Sequence, residues 1–239
     1  MNAITKFHNQ NMSIEALDRM VSASTPNVPQ PTSGAKFLRL SADDGSWVFG
    51  ADNTEVEAGS RWAVNPFSFR TGYVAWATAK LNGGRREKLG EVMGSVDNPP
   101  AMPDVDHSAR GGEWQEQVGF DLICLDGEDQ DLEVQYNNNS HGGKSAFGAL
   151  FNEVGMRPSP EHCFPVVVLE SDSYHNKNWG KTVFTPIFKV VDWADHDQNL
   201  LSGISSTAQL ESPEAGKSDS LDTAPEDQPK RRQRRRVDA

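Results

Sequence analysis

The chain has 239 residues, with 23 Lys and Arg against 34 Asp and Glu, a formal net charge of −11. That length suits one sizeable domain with tails, or two small domains. No run approaches the roughly 18 uninterrupted apolar residues of a membrane span, and residues 1–20 lack an apolar stretch flanked by bases, so neither a membrane helix nor a secretory leader is expected.

Residues 1–34 read as a preamble. Ser13-Ile14-Glu15-Ala16-Leu17-Asp18-Arg19-Met20-Val21 places Ile14, Leu17 and Val21 on one helical face, with Ser13 as its cap. Residues 22–34 hold three prolines and no helical period, which predicts a linker. The folded part is predicted to span 35–200, and its patterns are strand-like. Lys36-Phe37-Leu38-Arg39-Leu40 alternates, and Trp47-Val48-Phe49 follows an Asp43-Asp44-Gly45 turn, a first hairpin. Arg61-Trp62-Ala63-Val64, Phe67-Ser68-Phe69, Tyr73-Val74-Ala75-Trp76 and Leu89-Gly90-Glu91-Val92-Met93 continue the pattern. Residues 97–112, rich in Pro, Asp and Gly, predict a long loop.

The second half predicts a strand over 117–125, a turn over 126–129 and a returning strand over 132–136. A polar loop, 137–143, precedes a helix over 145–154 with Phe147, Leu150, Phe151 and Val154 on one face. Gly155 and Pro158 stop it. Strands over 165–169 and 183–193 close the domain, the last interrupted at Pro186, which marks an edge or a bulge. This order implies a mainly β fold with one core helix, an OB-fold-like antiparallel β-barrel. The two cysteines, Cys124 and Cys163, lie in apolar runs and read as buried thiols in a reducing cytoplasm.

Asn138-Asn139-Ser140-His141-Gly142-Gly143-Lys144-Ser145 is the sharpest local pattern. It ends in Gly-Lys-Ser between strand and helix, where a phosphate-binding loop would sit. Asn138 stands where the opening glycine belongs, and the surroundings are antiparallel β rather than βαβ. A nucleotide-using enzyme is therefore the minor alternative. The other readings are a strand-to-helix connection capped by Ser145, or a Lys144 contact to a nucleic-acid phosphate.

Aromatic and basic residues interleave twice: Arg61, Trp62, Phe69, Arg70, Tyr73 and Trp76 first, then Tyr174, Lys177, Trp179 and Lys181. Single-strand binders need flat side chains for bases and cations for the backbone. The same aromatics could instead fill the barrel core. Tyr174 and Trp179 favour the surface, because they fall in a polar, Asn- and Lys-rich loop. Asp104-Val105-Asp106-His107 and the 192–197 stretch with His196 are acidic but pinned to no ligand geometry. No metal, cofactor or catalytic nucleophile is expected.

Residues 201–239 predict a disordered acidic linker ending in an Arg-rich tail. Residues 1–210 carry a net charge of −11, residues 211–227 of −5, and residues 228–239 of +5. Lys230, Arg231, Arg232, Arg234, Arg235 and Arg236 form the basic cluster. It is a bait for phosphates, a localisation or partner-docking peptide, or a partner for its own acidic linker.

The core resembles a family of tailed-bacteriophage proteins. The likeness rests on Trp47-Val48-Phe49-Gly50-Ala51-Asp52, Trp62-Ala63-Val64-Asn65-Pro66, Gly72-Tyr73-Val74-Ala75-Trp76, Gly90-Glu91-Val92-Met93, Ser140-His141-Gly142-Gly143, Ser173-Tyr174-His175, and Gly180-Lys181 followed by Pro186. It implies a phage replication or recombination setting in the bacterial host cytoplasm, with replication or recombination proteins as partners. Lys230-Arg231-Arg232-Gln233-Arg234-Arg235-Arg236 is similar to the arginine-rich RNA-binding segment of a lentiviral transactivator, a likeness of guanidinium chemistry alone. The expected function is single-stranded DNA binding without catalysis, with RNA as the other nucleic acid such a surface takes and self-association open to it. The alternative is a β-rich interaction or structural phage protein tethered to nucleic acid by its basic tail.

Overall fold

A computed structural model describes residues 3–4, 36–78, 87–178 and 180–201. The expected helix over 13–21, the linker over 22–34, Trp179 and the tail from 202 onward lie outside these residues.

Ten strands and one long helix build the described part. The strands are β1 (Lys36–Leu40), β2 (Trp47–Phe49), β3 (Thr54–Glu55), β4 (Arg61–Val64), β5 (Arg70–Trp76), β6 (Lys88–Ser95), β7 (Trp114–Cys124), β8 (Glu133–Asn138), β9 (Phe164–Asn176) and β10 (Lys181–Ala194). The helix, α1, runs His141–Gly155 between β8 and β9. The sheet order is β10-β9-β4-β7-β8-β1-β2-β3, and β5 with β6 branches from β7.

The branch has a local cause. One edge of β7 pairs with β8. The other is shared between β5, opposite residues 114–119, and β4, opposite residues 122–124. Phe67-Ser68-Phe69, expected as strand, is where β4 and β5 part. Pro66 has no N–H for a ladder, and Asn65 Oδ1 accepts from Phe67 N at 3.1 Å, so the chain makes a 3-10 turn over Pro66–Ser68. Ser68 Oγ then accepts from Asp121 N at 2.8 Å, which pins the turn to the middle of β7.

The mainly β fold with one core helix is as expected, but the sheet does not close into an antiparallel barrel. The sheet is open, and β1 lies parallel to β8. It curls until β2 comes back to β9, but the seam is bridged by side chains instead of a ladder. Trp47 Nε1 donates to Glu170 O and Ser171 Oγ to Gly45 O, both at 2.9 Å. Burial explains the curl. Leu38, Trp47, Trp62, Phe120, Leu122, Tyr136, Val167 and Phe188 alternate onto one face and share a core with Phe147, Leu150 and Val154 of α1. Phe188 anchors it, with ring centroids 4.9 Å from Tyr136, 5.0 Å from Phe120 and 5.4 Å from Trp47.

Helix α1 begins earlier than its apolar period indicates. Ser140, not Ser145, is the cap, accepting from Gly143 N at 3.0 Å, while Asn138 Oδ1 takes Ser140 N at 2.7 Å. A Cβ at Gly143 would overlap the Asn138 amide, which would have to shift from its bond to Ser140 N. The last hairpin is longer than expected. Tyr174 and His175 belong to β9, which runs to Asn176, and β10 resumes at Lys181. Pro186 does lie on an edge strand, but the irregularity of β10 falls between Val190 and Asp192.

Candidate nucleic-acid interface

The first aromatic–basic cluster disperses on folding. Trp62 and Phe69 have no exposed surface, so neither offers a face to a base. Trp62 sits on β4, between Cys124 and Val167 of the neighbouring strands, and donates Nε1 to Ser60 Oγ at 2.9 Å. Phe69 packs edge-on against Phe147 and Phe151 of α1. Tyr73 and Trp76 are half-buried on β5, in the branch that carries the 97–112 loop.

Its cations are spent on carboxylates. Arg70 is buried and pairs with the equally buried Asp121 at 2.8 Å, with further contacts to Asn137 Oδ1 and Ser68 O at 3.3 Å. Arg61 donates its backbone N to Asp126 Oδ1 at 2.8 Å and Nε to Oδ2 at 2.6 Å. Lys144 stands in the first turn of α1 and meets Glu116 of β7 at 2.9 Å. The Gly-Lys-Ser run is thus a capped helix start facing an acidic residue.

The second cluster stays together. Residues 171–178 are exposed or half-buried, and β9 and β10 form a two-stranded ribbon there. Tyr174 is 52% exposed and lies opposite Val183; Lys181 lies opposite Asn176; Lys177 is exposed in the turn. Asn176 shapes that turn, its Oδ1 accepting from Asn178 N and its carbonyl from Gly180 N, both at 2.9 Å. Gly180 supplies the φ of 62° the closure requires.

The strands add neighbours that the loop reading missed. Period two puts Lys181, Val183, Ile187 and Lys189 on the face of β10 opposite Phe188, beside Tyr174. The alternation of residues 181–189 was the available signal. Lys189 is held at 2.9 Å by Glu170, so Lys177 and Lys181 are the cations of the ribbon's far end. From 173 to 191 the chain has three lysines and no Asp or Glu.

The acidic stretches serve the backbone. Asp106 is held below the usual carboxylate range by the backbone N–H and hydroxyl of Ser108. Asp195 accepts from Asp197 N and Asn199 N, and His196 lies against Phe67 and Phe164. Among the described residues no three His, Cys, Asp or Glu side chains converge as a metal site. Cys124 and Cys163 are free and buried, and burial pushes both thiols up to about 11. No described helix is long and apolar enough to cross a membrane. Comparison with protein families, with curated proteins and with solved structures gave no match.

Proposed function

We propose that this protein binds single-stranded nucleic acid, DNA in the first instance, without catalysing a reaction on it. The platform is the far end of the β9–β10 ribbon. The carrying observation is Tyr174, half open to solvent beside Lys177 and Lys181, in a stretch without acidic residues on a chain of net charge −11. An exposed ring stacks on any base, and flanking ammonium groups follow the phosphates, so such a surface is tolerant of sequence. The basic cluster at 230–236 adds a second, purely electrostatic hold. The ribbon occupies the place of the connection between the last two strands, where OB domains commonly contact oligonucleotides. A phage replication or recombination setting, and with it the host cytoplasm, rests on the sequence resemblance.

The test is fluorescence anisotropy with labelled single- and double-stranded oligonucleotides at several salt concentrations. Preferential single-strand binding, weakened in Tyr174→Ala and in the double variant Lys177→Ala/Lys181→Ala, is the expected result. Ribbon variants that bind as the parent does would hand the function to the tail alone. The chain would then be a β-rich interaction protein tethered to nucleic acid.

A further inference from the structure

Tyr174 sits between two unlike ends of one ribbon face. Period two places Asp172, Tyr174 and Asn176 of β9 on that face, in register with Thr185, Val183 and Lys181 of β10. Lys181 and the exposed Lys177 lie towards the tip. Asp172 lies towards the root, where the stretch without acidic residues ends. The band of Tyr174 and Val183 separates the cations from the carboxylate.

An exposed carboxylate beside a phosphate-binding surface weakens binding unless it takes a bond of its own. Glu170, the next acid on this face, is paired with Lys189 at 2.9 Å. Asp172 is exposed and belongs to none of the ion pairs among the described residues. Its Oδ1 accepts from Ser173 N at 2.7 Å, and its carbonyl accepts from Thr185 Oγ1 at 3.4 Å. The first bond fixes one oxygen against the strand. A carboxylate has about four lone-pair sites, so both oxygens keep the capacity to accept.

We infer that Asp172 makes the ribbon selective for guanine: the base stacks on Tyr174 and donates N1–H and its N2 amino group to the Asp172 carboxylate. This rests on the single-strand platform proposed above. Stacking alone takes any base. A carboxylate only accepts, so it discriminates by donors. Guanine carries two adjacent donors on its Watson–Crick edge. Thymine has N3–H between two carbonyl oxygens, cytosine its amino group beside N3, and adenine its amino group beside N1. Each of those acceptors would face the carboxylate with the same sign of charge. Single strands leave this edge free for a protein. The spacing agrees: two residues of strand put Asp172 about 6.6 Å from Tyr174, the reach of a stacked base edge plus one hydrogen bond. With its base edge on Asp172, the nucleotide turns its phosphate towards Lys177 and Lys181 at the opposite end.

Anisotropy titrations with three labelled strands of equal length test it: alternating thymine and guanine, the same with inosine for guanine, and thymine alone. Alternation avoids guanine runs, which associate with one another, and inosine lacks the N2 amino group. The parent protein should bind the guanine strand about tenfold more tightly than the thymine strand, with the inosine strand between them. Asp172→Asn keeps an oxygen for Ser173 N, removes the charge and turns one acceptor into a donor. It should abolish the preference and bind the thymine strand about twofold more tightly than the parent, because a charge facing the phosphates is gone. Equal affinity of the parent for the guanine and thymine strands overturns the proposal. So does an inosine strand that binds as the guanine strand does, or a guanine preference that survives Asp172→Asn. Tyr174→Ala separates the two readings. Thymine binding that falls in Tyr174→Ala, without a guanine preference in the parent, removes the role of Asp172 alone. Thymine binding unaltered in Tyr174→Ala removes the platform, and this inference with it.

Discussion

Arg61, Arg70 and Lys144 have the composition of a phosphate grip, and each is held by a carboxylate of its own chain. The three pairs differ in weight. Lys144 and Glu116 are partly solvated, and exposed pairs contribute about 0–1 kcal/mol; Lys144→Ala should lower the unfolding free energy from a urea titration by no more than that and leave single-strand affinity nearly unchanged. Magnesium-dependent phosphate release from ATP that vanished in Lys144→Ala would put the nucleotide-using enzyme reading first. Arg70 and Asp121 are both buried, so Arg70→Ala strands a carboxylate and should cost about 3–5 kcal/mol in the same measurement. The aromatics divide in the same way. Trp62→Ala removes a fully buried ring, at about 3–5 kcal/mol of stability. Tyr174→Ala should leave the unfolding midpoint nearly unmoved and cost about 1–3 kcal/mol of binding for a base no longer stacked. The thiols supply a pH signature. Their folded values, about 11, lie above the ordinary 9.0, because burial disfavours the thiolate. Their contribution to stability is therefore complete below about pH 9 and is lost as pH rises towards 11. Neither cysteine should react with iodoacetamide at pH 8 until denaturant is added.

The elements were legible where a period is undisturbed. β1, β2, β4, β7 and β8 have apolar positions at every second residue, and each lies within two or three residues of where the alternation put it. Polar contacts explain the misses. At Phe67-Ser68-Phe69 the alternation continues, yet Asn65 and Pro66 impose a turn, and both rings are buried from a non-strand backbone. The helix start was masked because Gly142 and Gly143 look like loop residues; their smallness serves contact with Thr185 and Asn138 instead. The tip of the last hairpin reads as a loop because Asn and Lys dominate it, although its backbone stays paired from Asn176 and Lys181 onward. Composition located that part of the candidate site. Tertiary placement alone separates Trp62 and Phe69 from Tyr174, since all three are aromatics near a cation in the sequence. Ser140→Ala tests the element reading, because it deletes the side chain that caps α1. It should lower stability by about 1 kcal/mol, seen as an earlier thermal midpoint, with single-strand affinity unchanged because the helix start lies outside the ribbon.

Charge organises the whole molecule more than shape does. Residues 1–210 carry −11, residues 211–227 a further −5, and residues 228–239 +5. Under the proposed function a polyanion is repelled by most of the chain and held at two small regions, the ribbon's far end and the basic terminal segment. The two act through different physics. Six closely spaced Lys and Arg release counterions, and on a single strand each neutralised phosphate steepens the log–log salt slope by about 0.7, so the segment accounts for up to about 4 of that slope. Stacking on Tyr174 is nearly indifferent to salt. Deleting residues 229–239 should therefore lower affinity strongly at low ionic strength and hardly at all at 0.5 M, where exposed charges are screened beyond a few ångströms. Tyr174→Ala should cost the same factor at both. The combined variant should show the two losses added, because the sites share no partner. Anisotropy titrations of the four proteins at two salt concentrations decide the matter. If the chain without residues 229–239 shows no affinity at any salt, the ribbon is no platform, and nucleic acid is held only by the tether.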